Sequence, residues 1–516
     1  MADGIYSIDW IAHHAERSPD SIACVDAYSD RTFSYAGFDD RISRLANALR
    51  DQLGITEGAR VLVLSRNDTD VFELQFACHR ASALFVPLNW RLSASELEAI
   101  ARDAAPSIIF YGSEFRSVAE QVAHAACIDK SIEMRSGGAG EYEASLARSS
   151  SKRREVPHDR NDIWALLYTS GTTGKPKGAQ VTFGMALCNA VFLGHQFRIF
   201  EDSRNLVTLP TFHTGGLNVF ANPVFFAGGT NLIVRDFEPP LVIELLNGRQ
   251  GDVTHMMGVP TTHSMLIETP GFDRIGKTLR EVCVAGAPCP PSTIESYAEI
   301  GLALRQFWGM TEVGPLGLVM PRRSPEGKKT SSGRPNIFGK FIIADSDGRE
   351  IPDGQIGELL VKGPIVTPGY WQRPAADAVA FNGEGWFRTG DAACRDDDGY
   401  FFIVDRWKDM FISGGENVYP AEIENALSEI DEIVECAVVG VPDSKWGEVG
   451  LAFIVRRPPS TIDTLRLQRH CERRLARYKI PKEFVFVEEL PRNASGKVLK
   501  TKLKENQQSL HQETFR

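Results

Sequence analysis

Between Tyr168 and Gly178 the chain reads Tyr-Thr-Ser-Gly-Thr-Thr-Gly-Lys-Pro-Lys-Gly, which places three glycines, five hydroxyl or phenol side chains and two lysines in eleven residues. Glycines let a backbone turn tightly and bring successive N–H groups onto an anion. Hydroxyls add donors, and lysines add mobile positive charge. Such a stretch suits a polyphosphate. It is not a Walker A loop, because neither Gly171 nor Gly174 is followed at the required distance by Gly-Lys-Ser/Thr. A flexible surface turn is the competing reading, and the crowding of these residue types directly after a strand-like run argues against it. A second candidate is His213, in Pro210-Thr-Phe-His-Thr-Gly-Gly216. Position alone reads it equally as a ligand-facing side chain or as a satisfied loop histidine.

The elements that must position these residues alternate. The apolar run Ile163 to Leu167 predicts a buried strand feeding the phosphate-suited loop. Upstream, helical spacing over 41–53, 70–83 and 93–102 is interleaved with apolar runs at 60–64, 84–87 and 107–111, and Ser93 is placed to cap the third helix. Strands separated by helices imply parallel βαβ units. Residues 135–162 are polar and rich in glycine or serine, which predicts a mobile connector. After the loop come a helix over 183–197 and strands at 205–209, 230–234, 253–257, 281–285 and 303–308, several ending in Gly- or Pro-containing turns at what reads as a ligand edge. Residues 356–404 change to a small β subdomain, and the remainder reads as an α+β unit with a frayed end. The fold class expected is therefore α/β: a large N-terminal domain of βαβ subdomains plus a small β subdomain, then a mobile small α+β C-terminal domain.

Whole-chain properties narrow the function classes. A chain of 516 residues exceeds one core, and 43% hydrophobic with 24% charged residues is ordinary globular composition. The formal net charge of −10 argues against nucleic-acid or anionic-membrane partners. No secretory signal and no bilayer-length apolar run are read. The nine cysteines are scattered without a Cys-x-x-Cys pair, which disfavours a zinc site or disulfide framework and makes a reducing cytoplasm the default.

Further motifs follow the loop in fixed order: Trp308-Gly-Met-Thr-Glu312, Thr389-Gly-Asp391, Asp405-Arg406, Gly414-Gly-Glu-Asn-Val-Tyr-Pro420 and Pro491-Arg-Asn-Ala-Ser-Gly-Lys497. Together they resemble the adenylate-forming superfamily of acyl-CoA synthetases, peptide-synthetase adenylation domains and luciferases, over almost the whole chain. The resemblance implies a 1–407 AMP-binding domain, a 408–516 mobile domain and a hinge at Lys408. It assigns Thr169, Ser170, Gly171, Thr172, Thr173, Gly174, Lys175 and Lys177 to the ATP phosphates and Glu312 to Mg²⁺, whose usual holder is one carboxylate plus substrate phosphates. Thr311 would donate to the α-phosphate. Trp308, in place of a common Tyr, would flank adenine together with Gly309 and Met310, with Gly286, Ala287 and Pro288 on the other face. Asp391 and Arg406 match the ribose-holding pair, and Lys497 the lysine bridging carboxylate and α-phosphate. Gly414 and Gly415 would pass the pantetheine arm, with Trp446 near CoA.

The glycine-glycine-glutamate form of the Gly414–Pro420 motif favours an acid–CoA ligase that makes acyl-AMP, releases pyrophosphate and forms the CoA thioester. A carrier-protein-loading adenylation enzyme is the alternative, and a non-catalytic nucleotide-binding scaffold is disfavoured by Lys497, Glu312 and Asp391. The resemblance also places His213 among the catalytic or gating residues and the acyl pocket at His213, Asn218, Val259 and Gly309. The segments 218–222, 258–262 and 284–286 contain no Arg or Lys. A second carboxylate would be costly to bury there, so a monocarboxylic acid, aromatic or medium-to-long aliphatic, is expected. The expected cofactors and substrates are ATP, Mg²⁺, CoA and the acid, and a homodimer is allowed.

Overall fold

Short, branched, apolar strands recur through the first 340 residues, and several are buried along their whole length. Leu84–Pro87, Ile108–Gly112 and Glu281–Val284 expose nothing, the pattern of parallel strands covered on both faces. The computed structural model describes residues 9–29, 31–134, 140–170, 176–287, 289–323, 325, 327–328, 330–407, 409–413, 416–443, 445–492 and 498–505. The chain forms two units: Met1–Phe341 with Val361–Phe387, and Ile342–Leu360 with Arg388–Arg516.

The first unit holds two sheets. One is six-stranded, in the order Ser131–Met134, Ile108–Gly112, Arg60–Leu64, Leu84–Pro87, Ile163–Ser170, Pro176–Thr182. It is parallel except for its last pair, an antiparallel hairpin in which Tyr168 faces Gly178 and Thr169 faces Lys177. The other is nine-stranded. Its parallel centre runs Leu304–Trp308, Glu281–Val284, His255–Gly258, Arg204–Val207, Thr230–Ile233, Ile22–Asp26. Helix starts follow local chemistry. Ser93 and Glu96 form a reciprocal capping box for Ala94–Ala104, and Asp68 caps Thr69–Ala81.

The structure corrects three expectations. The connector at 135–162 contains a helix, Glu141–Arg148, docked by Tyr142, whose hydroxyl donates to the buried Glu73 at 2.8 Å. Arg41 bridges Glu73 and Glu143, so a polar segment is ordered by buried ion pairs that composition does not reveal. The helix expected at 41–53 begins earlier, at Tyr35 behind the Ser34 cap, ends at Asn47, and passes into a π-helical turn, Ala48–Gln52. The strand Pro176–Thr182 was not expected, because its lysines, glycine and proline mask its apolar alternation.

In the second unit a four-stranded sheet combines Lys340–Ala344, Gly357–Lys362, Phe387–Arg395 and Phe401–Arg406, the unit boundary falling within its strands. A five-stranded sheet is built on the long antiparallel pair Ile433–Asp443 and Gly447–Arg456, with Glu483–Val487 added in parallel. Helices Pro420–Ser428 and Thr464–Arg474 cover it through Ile423, Leu427 and Leu467. Among the described residues no helix is long and apolar enough to cross a membrane.

Candidate active site

Parallel strands deliver their C-terminal ends to one edge, where open α/β sheets bind ligands. In the nine-stranded sheet of the first unit that edge collects His213 beyond Arg204–Val207, Val259 after His255–Gly258, Gly286 and Ala287 after Glu281–Val284, and Trp308 to Glu312 at the end of Leu304–Trp308. A buried ion pair fixes the last strand: Arg305 meets Glu281 at 2.8 Å and also donates to the carbonyls of Met320 and Gln196. Gly309 is required by space, because a Cβ there would lie 1.7 Å from the Pro315 carbonyl oxygen. Gly317 plays the same part for the Trp308 indole, whose Cζ3 would stand 2.5 Å from an added Cβ.

His213 is exposed, and its Nδ1 accepts the Gly215 N–H at 3.1 Å, so a neutral ring carries its proton on Nε2. Behind it the π-helical turn Gly215–Val219 leads into a buried amide ladder. Asn218 Nδ2 donates to Thr214 at 3.1 Å, Asn222 Nδ2 donates to Asn218 Oδ1 at 2.8 Å, and Asn189 donates to the Asn218 carbonyl. Asn218 is thus engaged within the protein, while Val259 lies 3.5 Å from where a Gly286 Cβ would be.

The hairpin brings its own residues to Glu312. Thr169 Oγ1 stands 3.4 Å from Glu312 Oε1, a long contact, and Tyr370 donates its hydroxyl to the same oxygen at 2.9 Å. Lys177 places its ammonium 5.2 Å from the centroid of the Tyr370 ring. Gly178 lies close against Tyr168, whose ring would stand 3.1 Å from an added Cβ, and the Tyr168 hydroxyl is anchored on Asp103 at 2.8 Å. Burial and the Asp103 carboxylate push the Tyr168 phenol far above its ordinary value, so it stays a donor.

In the second unit Asp391 and Arg406 are paired across adjacent antiparallel strands and meet at 3.1 Å. Within the strand Phe387–Arg395, Gly390 precedes Asp391 with φ +70°, its N–H donating to Glu358 at 3.2 Å. Asp391 N–H donates to Thr389 Oγ1. The carboxylate is almost covered, whereas the guanidinium is 40% exposed and open to a ligand. Trp446 is exposed at the turn between Ile433–Asp443 and Gly447–Arg456, under Lys445 at 4.9 Å.

Comparison with known proteins decides what this constellation belongs to. Residues 11–371 match the family described as AMP-binding enzyme, and residues 422–497 match the AMP-binding enzyme C-terminal domain. A feruloyl-CoA synthase of Amycolatopsis sp is 39% identical over 492 residues, covering 95% of this chain and 97% of that protein. An indoleacetate–CoA ligase of Aromatoleum aromaticum is 36% identical over 496 residues, at 95% and 96% coverage. The ATP-bound crystal structure of MatB from Rhodopseudomonas palustris superposes with a TM-score of 0.90 at 31% identity, covering 96% of this chain and 98% of that one. The chain belongs to the AMP-binding enzyme family.

Within that family it stands in the acyl-CoA synthetase branch, as an ATP-dependent acid–CoA ligase working through an acyl-AMP. Family members of this branch take a carboxylic acid, ATP and CoA. The donor set at Glu312 fits a magnesium ion: both hydrogen bonds described above fall on Oε1, and Oε2 takes neither. Tyr370, Glu358 and Gly317 were missed from sequence. The signal for Tyr370 was the run Pro368-Gly-Tyr-Trp371, whose aromatics stand beside a glycine with φ +146°. Ser170 contributes its backbone to the hairpin. Gly171, Thr172, Thr173, Gly174, Lys175, Pro288, Lys408, Gly414, Gly415 and Lys497 lie outside the described residues.

Proposed function

We propose that this ligase activates a monocarboxylic acid with an aromatic, apolar body. The acid's carboxylate oxygen attacks the α-phosphorus of ATP, the bond to the β-phosphate oxygen breaks, and pyrophosphate leaves. The thiol sulfur of CoA then attacks the acyl carbon, giving the thioester and releasing AMP. The observation that carries this reading is the buried Glu312 carboxylate, held on one oxygen at the ligand edge of the sheet beside the hydroxyl- and lysine-bearing hairpin. In this reading Thr169 and Lys177 bind phosphate oxygens, Thr311 donates to the α-phosphate, and Trp308 stacks on adenine. Asp391 and Arg406 take the ribose hydroxyls, Lys497 orients carboxylate against phosphate, and Lys408 is the hinge. Magnesium held by Glu312 would supply positive charge against the departing pyrophosphate.

The acid class rests on two supports. The segments around His213, Asn218, Val259 and Gly286 offer no Arg or Lys for a second carboxylate. The relatives named for ferulate and indoleacetate share an aromatic body. ATP and CoA as substrates and nine unpaired cysteines suit a reducing cytoplasm. Pyrophosphate release measured across a panel of aromatic, aliphatic and dicarboxylic acids, with and without CoA and with mass detection of the thioester, tests the proposal. An aromatic monocarboxylate should give the highest kcat/KM and an acyl-CoA product. A dicarboxylate preference would overturn the substrate assignment, and an adenylate that no CoA consumes would favour carrier loading.

A further inference from the structure

Tyr370 has no part in the reading above, yet its placement is unusually constrained. The ring is buried, and Tyr370 pairs with Ala179 on the strand that carries Lys177. Its N–H donates to Asp377 Oδ1 at 2.8 Å. The preceding Gly369 sits at φ +146° with the Asp377 carboxyl 2.8 Å from where a Cβ would stand, so only glycine allows this turn. Gln180 N–H donates to the Gly369 carbonyl at 3.1 Å, and Thr367 N–H donates to the Glu312 carbonyl at 2.8 Å. Backbone and side chain therefore tie this segment to both the hairpin and Glu312. A buried phenol needs a hydrogen-bond partner, but a carbonyl would satisfy it. Here the partner is the one carboxylate oxygen also approached by Thr169.

We infer that Tyr370 is a positioning residue that orients the Glu312 carboxylate for a divalent cation, its hydroxyl occupying Oε1 so that Oε2 is presented as the ligating oxygen. The inference rests on the reading of Glu312 as the metal-holding residue. Groups that orient a ligating side chain typically change metal affinity by about 10- to 100-fold when removed. The ring also carries the Lys177 ammonium, so removal of the hydroxyl alone separates the two roles.

The test is Mn²⁺ binding in the presence of a non-hydrolysable ATP analogue, read from the electron paramagnetic resonance of the free ion. It compares wild type, Tyr370→Phe, Glu312→Gln and the double variant, and nucleotide binding without metal is measured in parallel. Tyr370→Phe should weaken Mn²⁺ binding about tenfold, leave metal-free nucleotide binding unchanged, and add nothing in the Glu312→Gln background. Unchanged Mn²⁺ affinity in Tyr370→Phe, with a loss in Glu312→Gln, would overturn the inference alone. Unchanged affinity in Glu312→Gln would overturn the reading of Glu312 itself. Additive losses in the double variant, or a Tyr370→Phe protein that no longer folds, would make the hydroxyl a structural group and overturn the orienting role.

Discussion

Thr311 and Glu312 owe their placement to a neighbour without a side chain. At Gly309 a methyl group would collide with the Pro315 carbonyl oxygen, so Gly309→Ala must displace the turn that carries both residues. A misplacement near 1 Å costs on the order of 100-fold in rate, and adenylate formation, assayed by pyrophosphate exchange, should fall by at least about that factor, with a lower melting temperature because backbone must yield. An unimpaired exchange rate would mean that the turn tolerates the shift. The place of Glu312 and Trp308 at a strand end was legible because they sit in a short ordered motif. Tyr370 was not, since its meaning depends on a contact across 58 positions of sequence. The amides of Asn189, Asn218 and Asn222 were equally hidden: their spacing in sequence says nothing of the ladder they form in space.

Strands of the first unit were read nearly to the residue where burial is almost continuous, as at Arg60–Leu64 and Leu84–Pro87, and the partly exposed helix Phe183–Phe197 was read to the same bounds. The helix Glu141–Arg148 escaped because its apolar face is only Tyr142 and Leu146, and Tyr142 is tied to a buried carboxylate that composition does not reveal. In the second unit, element joins element through Asp405. At the end of the strand Phe401–Arg406, its carboxylate accepts from Arg406 N–H at 2.6 Å and from Ala421 N–H at 2.7 Å, in the first turn of helix Pro420–Ser428. Lys500 faces it and pairs with Glu424 at 2.8 Å, with Asp409 also nearby. Burial pushes the Asp405 carboxyl up to about 6, against the pull of Lys500. Its folded value lies above the unfolded 3.8, so between these two values the native state keeps a proton that the unfolded chain has lost. Stability from this group therefore rises as pH falls through that window, by at most roughly 3 kcal/mol, and is constant above it. The melting temperature of wild type minus that of Asp405→Asn should become more positive from about pH 7 to about pH 4.5. A constant difference would show that Asp405 stays ionised throughout.

On the scale of the molecule, the proposed chemistry divides between two half-reactions. Lys497→Ala should lower adenylate formation by at least about 100-fold, while thioester formation from supplied acyl-AMP and CoA proceeds within about threefold of wild type. Equal loss in both assays would place the lysine outside a role confined to adenylation. The five ordered motifs made the superfamily legible from sequence, because nucleotide chemistry demands the same residue types wherever it occurs. The acid was legible only as a class, since apolar side chains record size and shape rather than identity. The sheet edge of the first unit has a consequence for how such enzymes diverge. His213 and Val259 arrive on different strand ends from the turn holding Thr311 and Glu312. Substitutions at the former can accumulate in a lineage, or in a randomised library, without disturbing the latter. Acid preference is then free to drift quickly over a nucleotide site that stays fixed, and variant libraries confined to those strand ends should retain folded, ATP-competent members.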